Sequence, residues 1–360
     1  MTPQPNFHSI VFDADECDGC ALCVGRCPTT AIEVQAGKVR IDMDSCIDCG
    51  ECIRACHYGA IQAVADPLSM TRDFLLKVAV PAPALYGQFN EPRGFDHIRE
   101  GLLELGFDQV YDVYEAAELV ASATKELLMG AGGAFGWNPS LPIISSSCPA
   151  VVKLVQIRFP SLIPYLAPLL PPMEVAARRL KEGLRHSADE VGVFFISPCA
   201  GKVTGTRSPQ GYSRSVIDGV IGLKDIYLPL CAAMDKTVER QSSSACGPEL
   251  GPSDAAGGAA IPILEGKSSI AVDGIANVID VLNALEHGKI KNIAYIEALA
   301  CPAGCVGGPL ATENPFVAKA RLGNRALPLT PAATARRDVP LVDLLWESPV
   351  LASRSCAFDP

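Results

Sequence analysis

The chain has 360 residues, of which 49% are hydrophobic, and this content excludes an intrinsically disordered protein. It contains no run of 18 apolar residues, and its N-terminal residues lack the basic start and apolar core of a signal peptide, so we predict a cytoplasmic protein without a membrane span. The formal net charge of −10 argues against nucleic acid as a partner, because phosphates select clusters of Lys and Arg.

Eight of the fifteen cysteines lie in the first 56 residues, in two copies of the spacing C-x2-C-x2-C-x3-C. The copies comprise Cys17, Cys20, Cys23 and Cys27, and then Cys46, Cys49, Cys52 and Cys56. Each copy predicts a loop, a short helix and a strand, "AIEV" in the first and "AIQA" in the second. A disulfide framework does not suit a cytosolic chain, because that compartment keeps thiols reduced.

This duplicated spacing is that of bacterial ferredoxins, in which the fourth cysteine of each run binds the other cluster. We therefore assign one 4Fe–4S cluster to Cys17, Cys20, Cys23 and Cys56, and a second to Cys46, Cys49, Cys52 and Cys27. Zinc is the structural alternative, and two complete runs disfavour it. The sequence thus predicts an α+β ferredoxin-type two-cluster domain over residues 1–70.

The cysteine-rich region is also the most acidic part of the chain. Residues 1–68 hold ten Asp or Glu against four Lys or Arg, whereas the rest of the chain holds 30 against 26. This charge suits docking to a basic redox partner, and it serves solubility equally well.

Residues 71–322 predict an α/β domain of two lobes. "FLLKVAVPAP" at 74–83 is a linker that leads into a buried strand, and later strands in "LPIISSSCP", "EVGVFFISPCA" and "KNIAYIEALACPAGC" alternate with helical patterns. The small, polar stretch 238–260 predicts a flexible insert. Residues 323–360 contain several prolines and predict an extended tail over the surface, with a helical stretch at "PLVDLLWE".

Four further cysteines follow predicted strands, in the segments "SSSCP", "SPCAGK" and "EALACPAGC". They are Cys148, Cys199, Cys301 and Cys305. Because α/β folds collect their sites at the carboxyl ends of strands, three loops are able to bring four thiolates around one iron–sulfur cluster. The scattered cysteines Cys231, Cys246 and Cys356 are interpreted as small hydrophobic residues.

These three segments, in this order behind a two-cluster ferredoxin domain, resemble the signature segments of the FeFe hydrogenases. "FLLKVAVPAPAL" resembles the start of that catalytic domain, and "ENPFVAKARL" resembles its end in a branch with sensory members. The resemblance covers roughly residues 12–322. It implies an H-cluster, in which Cys148, Cys199, Cys301 and Cys305 bind a 4Fe–4S cubane and Cys305 bridges to a di-iron subsite with CO, cyanide and a dithiolate amine.

The same resemblance implies roles for residues around the di-iron subsite. Lys202 is expected to bond a cyanide, and the alternative for it is a surface lysine. Residues expected to line the cofactor are Ser146, Ser197, Pro198 and Leu299. Glu115 and Glu118 match a pair of relay carboxylates at helical spacing, and two acids on a solvated helix face are the alternative.

Several positions depart from the pattern of efficient members of that family. Ser147 stands where they carry a proton-relaying cysteine, and its hydroxyl is a much weaker acid than a thiol. Ala167 stands in place of a relay serine, and Glu174 stands where a polar amide is usual. Ser197 and Leu299 replace methionines, which changes the polarity around the subsite.

The resemblance therefore implies slow, reversible oxidation of H2, useful for sensing, in an anaerobic setting. Electrons would leave through the two ferredoxin clusters to a ferredoxin-like redox partner or a signalling protein, and maturation factors would insert the di-iron unit. Two alternatives stay open: a reductase or accessory subunit with a plain third 4Fe–4S cluster, and an assembly or electron-transfer scaffold resembling the eukaryotic hydrogenase-like proteins.

Overall fold

The computed structural model describes residues 7–90, 94–131, 133, 137, 141–183, 190–238, 268–324, 339–348 and 351. The cysteine-rich region contains two antiparallel strand pairs: β1 (Ile10–Phe12) with β4 (Ile61–Ala63), and β2 (Ile32–Gln35) with β3 (Lys38–Ile41). Ala36 and Gly37 both have positive φ, which suits the tight turn between β2 and β3. Helix α1 (Glu51–Ala55) and a 3-10 turn (Val24–Arg26) occupy matching places in the two repeats.

The described part of the remaining chain contains two parallel sheets. The first has the order β6-β5-β8-β9, and its strands are β5 (Leu76–Pro81), β6 (Gln109–Val110), β8 (Val191–Ser197) and β9 (Gly219–Gly222). The second has the order β10-β11-β7, with β7 (Ile143–Ile144), β10 (Ser268–Asp273) and β11 (Ile293–Leu299). All seven residues of β8 are buried, as expected for an inner strand of a parallel sheet covered on both faces.

Eight helices connect and cover these strands in the described part of the chain. They are α2 (Phe95–Glu104), α3 (Tyr114–Leu128), α4 (Pro149–Arg158), α5 (Pro172–Gly183), α6 (Ala200–Arg207), α7 (Leu223–Val238), α8 (Ile275–Glu286) and α9 (Pro315–Asn324). The predicted alternation of strands and helices is therefore confirmed. Helices α4 and α6 each begin directly after a cysteine, Cys148 and Cys199, so both cysteines lie at helix N-termini.

Buried polar contacts join the cysteine-rich domain to the first parallel sheet and its helices. Ser9 donates from its hydroxyl to the Ala200 carbonyl (3.0 Å), and its amide donates to the Thr204 hydroxyl (3.0 Å). Asp66 accepts from the Val220 amide (2.8 Å) and forms an ion pair with Arg207. Because these groups are buried, the contacts fix the orientation of the cysteine-rich domain against the rest of the fold.

The segment 339–348 corrects the prediction of a tail that lies extended over the surface. Leu341, Leu344 and Trp346 are buried, and a 3-10 turn covers Leu341–Leu344, as the "PLVDLLWE" pattern predicted. The Trp346 amide donates to the Pro168 carbonyl at 2.7 Å. The buried apolar side chains of this segment belong to the hydrophobic core, and its backbone bonds to the loop that precedes α5. Most of the predicted insert at 238–260, with Cys246, and the final residues with Cys356 lie outside the described ranges.

None of the described helices combines the length and the apolar character needed to cross a membrane.

Candidate metal centres

The first set of cysteines surrounds one cavity in the cysteine-rich domain. Its walls include Cys17, Cys20, Cys23 and Cys56. Burial raises the pKa of the Cys23 thiol, and the nearby thiolates of Cys20, Cys56 and Cys17 raise it further. Cys56 reaches this cavity because it ends helix α1 of the second repeat, so the chain carries it across to the cysteines of the first repeat.

The second set is more deeply buried. Burial raises the pKa of the Cys49 thiol, and Cys52, Cys46 and Cys27 add to the rise, which places these four thiols close together. Burial and Cys27 also raise the pKa of Cys52, to about 12. Cys27 comes from the first repeat, and its sulfur accepts from the Ala31 amide at 3.2 Å. The two repeats thus exchange their fourth cysteines.

The spacing of the thiols argues against single zinc ions. A tetrahedral zinc site with Zn–S bonds of about 2.3 Å holds its sulfurs about 3.8 Å apart. Within the described residues, the only group of three or more His, Cys, Asp or Glu ligand atoms that lie within 4.8 Å of one another is His8, Cys46 and Asp48, so no three thiols meet this spacing. Asp48 is instead paired with His8 (2.8 Å) and Lys153 (3.1 Å). A cubane binds each thiolate through a different iron and therefore needs wider spacing.

A third set of thiols lies where three strand ends meet. Cys148 follows β7, Cys199 follows β8, and Cys301 and Cys305 follow β11. Burial raises the pKa of Cys199 to about 12, the Lys202 ammonium opposes the rise, and the Cys148 and Cys305 thiolates increase it. The pKa of Cys301 is raised by burial and then by Cys199, with Cys148 and Cys305 contributing. The Cys301 thiol thus interacts electrostatically with the other three thiols of this set.

Glycines allow the loops of the third set to approach one another. A Cβ added at Gly308 would lie 2.2 Å from the Pro198 carbonyl oxygen, and one at Gly307 would lie 2.1 Å from the Pro302 carbonyl oxygen. The Leu310 amide donates to the same Pro198 carbonyl at 2.9 Å. The loop after β11 therefore packs directly on Pro198, the residue that precedes Cys199. A side chain at Gly308 would separate the two loops, and one at Gly307 would clash with the backbone of its own loop.

A second cavity lies beside Cys305. Its walls include Ser147, Pro198, Lys202, Met173 and Phe195. The Lys202 ammonium lies 5.3 Å from the centre of the Phe195 ring, and its positive charge also opposes the burial-driven rise in the pKa of Cys305. The structure thus brings Ser147, Pro198 and Lys202 to one cavity, and one thiol of the third set opens into it.

Three other residues expected at the cofactor are not among those that line this cavity. The Ser146 hydroxyl donates to the Leu169 carbonyl (3.0 Å), and the Ser197 hydroxyl accepts from the Cys199 amide (3.1 Å). Leu299 is buried as the last residue of β11. Ser197 acts on the site indirectly, because its hydrogen bond orients the backbone of Cys199.

The two acids predicted as relay carboxylates lie at the surface of α3. Glu115 and Glu118 are both exposed, and they accept hydrogen bonds from the hydroxyls of Tyr111 (3.1 Å) and Tyr114 (2.7 Å). Tyr114 lines the cavity beside Cys305, so Glu118 is linked to that cavity through a phenol, and Glu115 lies on the solvated face. The buried stripe of α3, not the spacing of its acids, sets this orientation.

Glu174, which stands where a polar amide is usual in the family, is not among the residues that line this cavity. Its fully buried carboxylate accepts from the Ser215 hydroxyl (2.5 Å), the Val216 amide (3.0 Å) and Arg178 (3.1 Å). The preceding residue, Met173, is the one that lines the cavity. Successive helical residues point about 100° apart, so one position in the register decides which side chain faces the site. No pattern in the sequence around Met173 indicates that this residue lines the cavity.

Two family descriptions match the chain. The 4Fe-4S dicluster domain matches residues 9–57, and the iron only hydrogenase large subunit, C-terminal domain, matches residues 76–245 and 253–309. The second match covers more than half of the chain. The protein is therefore an iron–sulfur protein with a ferredoxin-like 4Fe–4S domain ahead of an α/β hydrogenase domain, and it belongs to the iron-only hydrogenase family, as its cysteine segments predicted.

Individual relatives are distant. The periplasmic [Fe] hydrogenase large subunit of Nitratidesulfovibrio vulgaris Hildenborough is 28% identical over 381 residues, which cover 85% of this chain and 88% of the relative. A cytosolic Fe-S cluster assembly factor NAR1 homolog of Schizosaccharomyces japonicus is 29% identical over 111 residues, which cover 28% of this chain and 21% of the relative.

Among solved structures, a variant of the apo [FeFe]-hydrogenase HydA1 from Chlamydomonas reinhardtii is similar over 81% of this chain and 98% of its own chain, with a TM-score of 0.55 and 16% identity. At this identity the similarity shows a shared fold alone.

Proposed function

We propose that this protein is an FeFe hydrogenase-like oxidoreductase that interconverts H2 with two protons and two electrons. In this proposal the three sets of thiols described above bind three 4Fe–4S clusters, and the third cluster belongs to an H-cluster. The two parallel sheets form the two lobes that hold it. The support is the family, the three sets of thiols and the cavity beside Cys305.

One observation carries the proposal furthest: an ammonium, a hydroxyl and a thiol meet in one largely apolar cavity. A plain 4Fe–4S cluster needs its four thiolates and does not need a neighbouring cavity with a cation. Lys202, Ser147 and Cys305 all line this space, with Phe195 and Met173 as apolar walls. The donor set therefore fits a cofactor that has both a thiolate attachment and anionic ligands.

When bound, the di-iron unit supplies the hydrogen chemistry, and the protein supplies ligation, charge and proton access. Cys305 would hold the unit to the third cubane. Lys202 would compensate the negative charge of the cyanide ligands with a charge-assisted hydrogen bond. Ser147 would hold a proton at its hydroxyl, and Phe195 and Met173 would exclude bulk water.

Low turnover, suited to sensing, is the second part of the proposal. Ser147 is a weaker proton donor than a thiol, and Ala167 is buried and has no proton to transfer. Of the two expected carboxylates, only Glu118 is linked to the cavity wall, through Tyr114. Proton delivery would therefore limit the rate. A ferredoxin-like redox or signalling partner, maturation factors, a cytoplasmic location and an anaerobic setting are parts of this proposal that rest on the sequence.

Infrared spectroscopy of anaerobically matured protein tests the function directly. Intrinsic CO and cyanide stretches are expected in the parent protein and absent in Cys305→Ala, because a methyl group cannot bridge metals. Cys231→Ala is the matched control, since Cys231 lies on α7 outside the three sets of thiols, and it should keep both the stretches and the iron content. Parent protein with a full complement of cubanes and no such stretches would refute the hydrogenase assignment.

The similarity to the assembly factor homolog supports a second candidate, an iron–sulfur scaffold or electron-transfer protein whose third cluster is a plain cubane. This candidate predicts the same iron content after reconstitution with iron and sulfide. It also predicts that Lys202→Met leaves the infrared spectrum and the iron content unchanged. The two candidates therefore separate on the infrared spectrum and on the response to Lys202, and not on cluster counting.

A further inference from the structure

A single side chain joins the second set of thiols to the third. Arg54 lies on α1, two residues after Cys52. One terminal nitrogen of its guanidinium donates to the Cys49 carbonyl (3.3 Å) and to the Glu51 carboxylate (2.8 Å). The other terminal nitrogen donates to the Gly307 carbonyl at 2.5 Å. Arg54 and Gly307 are 253 positions apart in the sequence.

These hydrogen bonds reach the backbone of the second set of thiols and the backbone beside the third set. Cys49 belongs to the second set, and Gly307 ends the 3-10 turn that begins at Cys305 of the third set. The two segments also pack tightly beside the guanidinium, since a Cβ added at Gly50 would lie 2.8 Å from the Pro309 ring. Arg54 is therefore held between two rigid loops, and its planar fork matches two carbonyls at fixed positions.

The position also carries charge. Arginine stays protonated in proteins, so the junction holds a permanent positive charge, of which Glu51 offsets a part. The side chain is 27% exposed, which screens the charge incompletely. The Gly307 carbonyl that accepts from Arg54 lies two residues after Cys305, so this charge lies beside the third set. A cation beside an iron–sulfur cluster stabilises the more negatively charged state of that cluster, which is the reduced state.

We propose that Arg54 is a positioning residue for electron transfer between the second and the third cluster: its guanidinium fixes the two loops against each other and favours the reduced form of the third cluster. The inference rests on the cluster assignment in the proposed function. In the step itself one electron leaves the reduced second cluster and enters the oxidised third cluster, with no bond formed and no proton moved.

The test uses the full chain reconstituted anaerobically with iron and sulfide, and EPR-monitored redox titration as the readout. Iron content is measured first. At the ambient potential where half of the third cluster is reduced in the parent, Arg54→Gln should lower the ratio of reduced to oxidised cluster by about tenfold, which is ~59 mV for a one-electron couple. Arg54→Lys keeps the charge and should keep the ratio within about twofold.

Two further variants make the result specific. Arg26→Gln removes the same charge from an exposed position in the first repeat and should leave the ratio for the third cluster unchanged. Glu51→Gln removes the partial offset beside Arg54 and should increase the reduced fraction, and it serves as the test if Arg54→Gln fails to fold.

If both Arg54→Gln and Glu51→Gln hold about twelve irons and leave the ratio of reduced to oxidised third cluster unchanged, the proposed role of Arg54 is overturned and the proposed function is not. About eight irons in the parent protein would overturn the third cluster itself, and with it the proposed function. A loss of thermal stability shared by Arg54→Gln and Arg54→Lys, without a change in the ratio, would reduce Arg54 to a structural contact.

Discussion

Gly308→Ala offers a direct test of the way the loops of the third set are held together. The new Cβ would lie 2.2 Å from the Pro198 carbonyl oxygen, whereas real Cβ atoms essentially never come closer than 3.0 Å to a neighbour. The obstacle is backbone, so no side-chain rotation relieves it. Either the loop that carries Cys305 or the loop that carries Cys199 must move.

The cost follows from two terms. Overpacking of a tight site costs about 1–3 kcal/mol. The Pro198 carbonyl also accepts from the Leu310 amide at 2.9 Å, and losing that hydrogen bond adds about 1 kcal/mol. A destabilisation of about 2–4 kcal/mol is therefore expected, and it is concentrated where Cys199 and Cys305 must stay within reach of one cluster.

The assay is iron content and chemical denaturation after anaerobic reconstitution with iron and sulfide. Gly308→Ala should keep about eight irons and lose the third cluster, because the two ferredoxin-type sites lie in another domain. Gly205→Ala is the matched control: it lies within α6, a Cβ there meets nothing within 4 Å, and the change should stabilise the helix by up to about 1 kcal/mol. Full iron content and unchanged stability in Gly308→Ala would refute the close approach of these loops.

Three other changes test neighbouring parts of the proposal. Ser147→Cys should increase H2 evolution per di-iron unit, since a good proton donor is worth about two to four powers of ten, and a large loss in Ser147→Ala would instead show that the serine is an effective relay. Lys202→Met keeps the length of the side chain and removes a charge-assisted hydrogen bond of about 1.5–3 kcal/mol. When the di-iron cofactor is supplied in limiting amount, the cofactor detected by infrared spectroscopy should therefore fall about tenfold or more. Equal occupancy in the variant and the parent would contradict the cyanide contact. Asp48→Asn leaves the buried Lys153 ammonium without its counter-ion and should lower the free energy of unfolding by about 3–5 kcal/mol. The double variant Asp48→Asn with Lys153→Met should recover most of this loss. A double variant as unstable as Asp48→Asn would rule out the ion pair as the cause.

Local spacing along the chain was enough to predict most of the thiol placement. Three cysteines within seven residues, such as Cys17, Cys20 and Cys23, cannot lie far apart in any fold. The strands before Cys199 and Cys301 were equally readable, because inner strands of a parallel sheet are continuous apolar runs. Strand ends on one side of a sheet then place their loops together, and this geometry gathers distant cysteines without any further information.

The orientation of helices could not be read in the same way. Met173 and Glu174 are neighbours in sequence, and the phase of α5 against the core decides that methionine faces the cavity while glutamate bonds with Ser215 and Val216. The same reason puts Glu115 on the solvated face of α3. Spacing defines which residues share a helix face, but packing against distant elements decides where that face points.

Contacts between domains were also decided by the tertiary structure alone. Arg54 and Lys153 have no distinguishing local pattern, and each gains its role from a partner in the other domain: Gly307 for Arg54 and Asp48 for Lys153. The sequence by itself determined which ligands exist and which short segments carry them. Only the folded chain determined which charged side chains lie near the thiol sets. The effect of a charge depends on its distance and burial, and local sequence encodes neither.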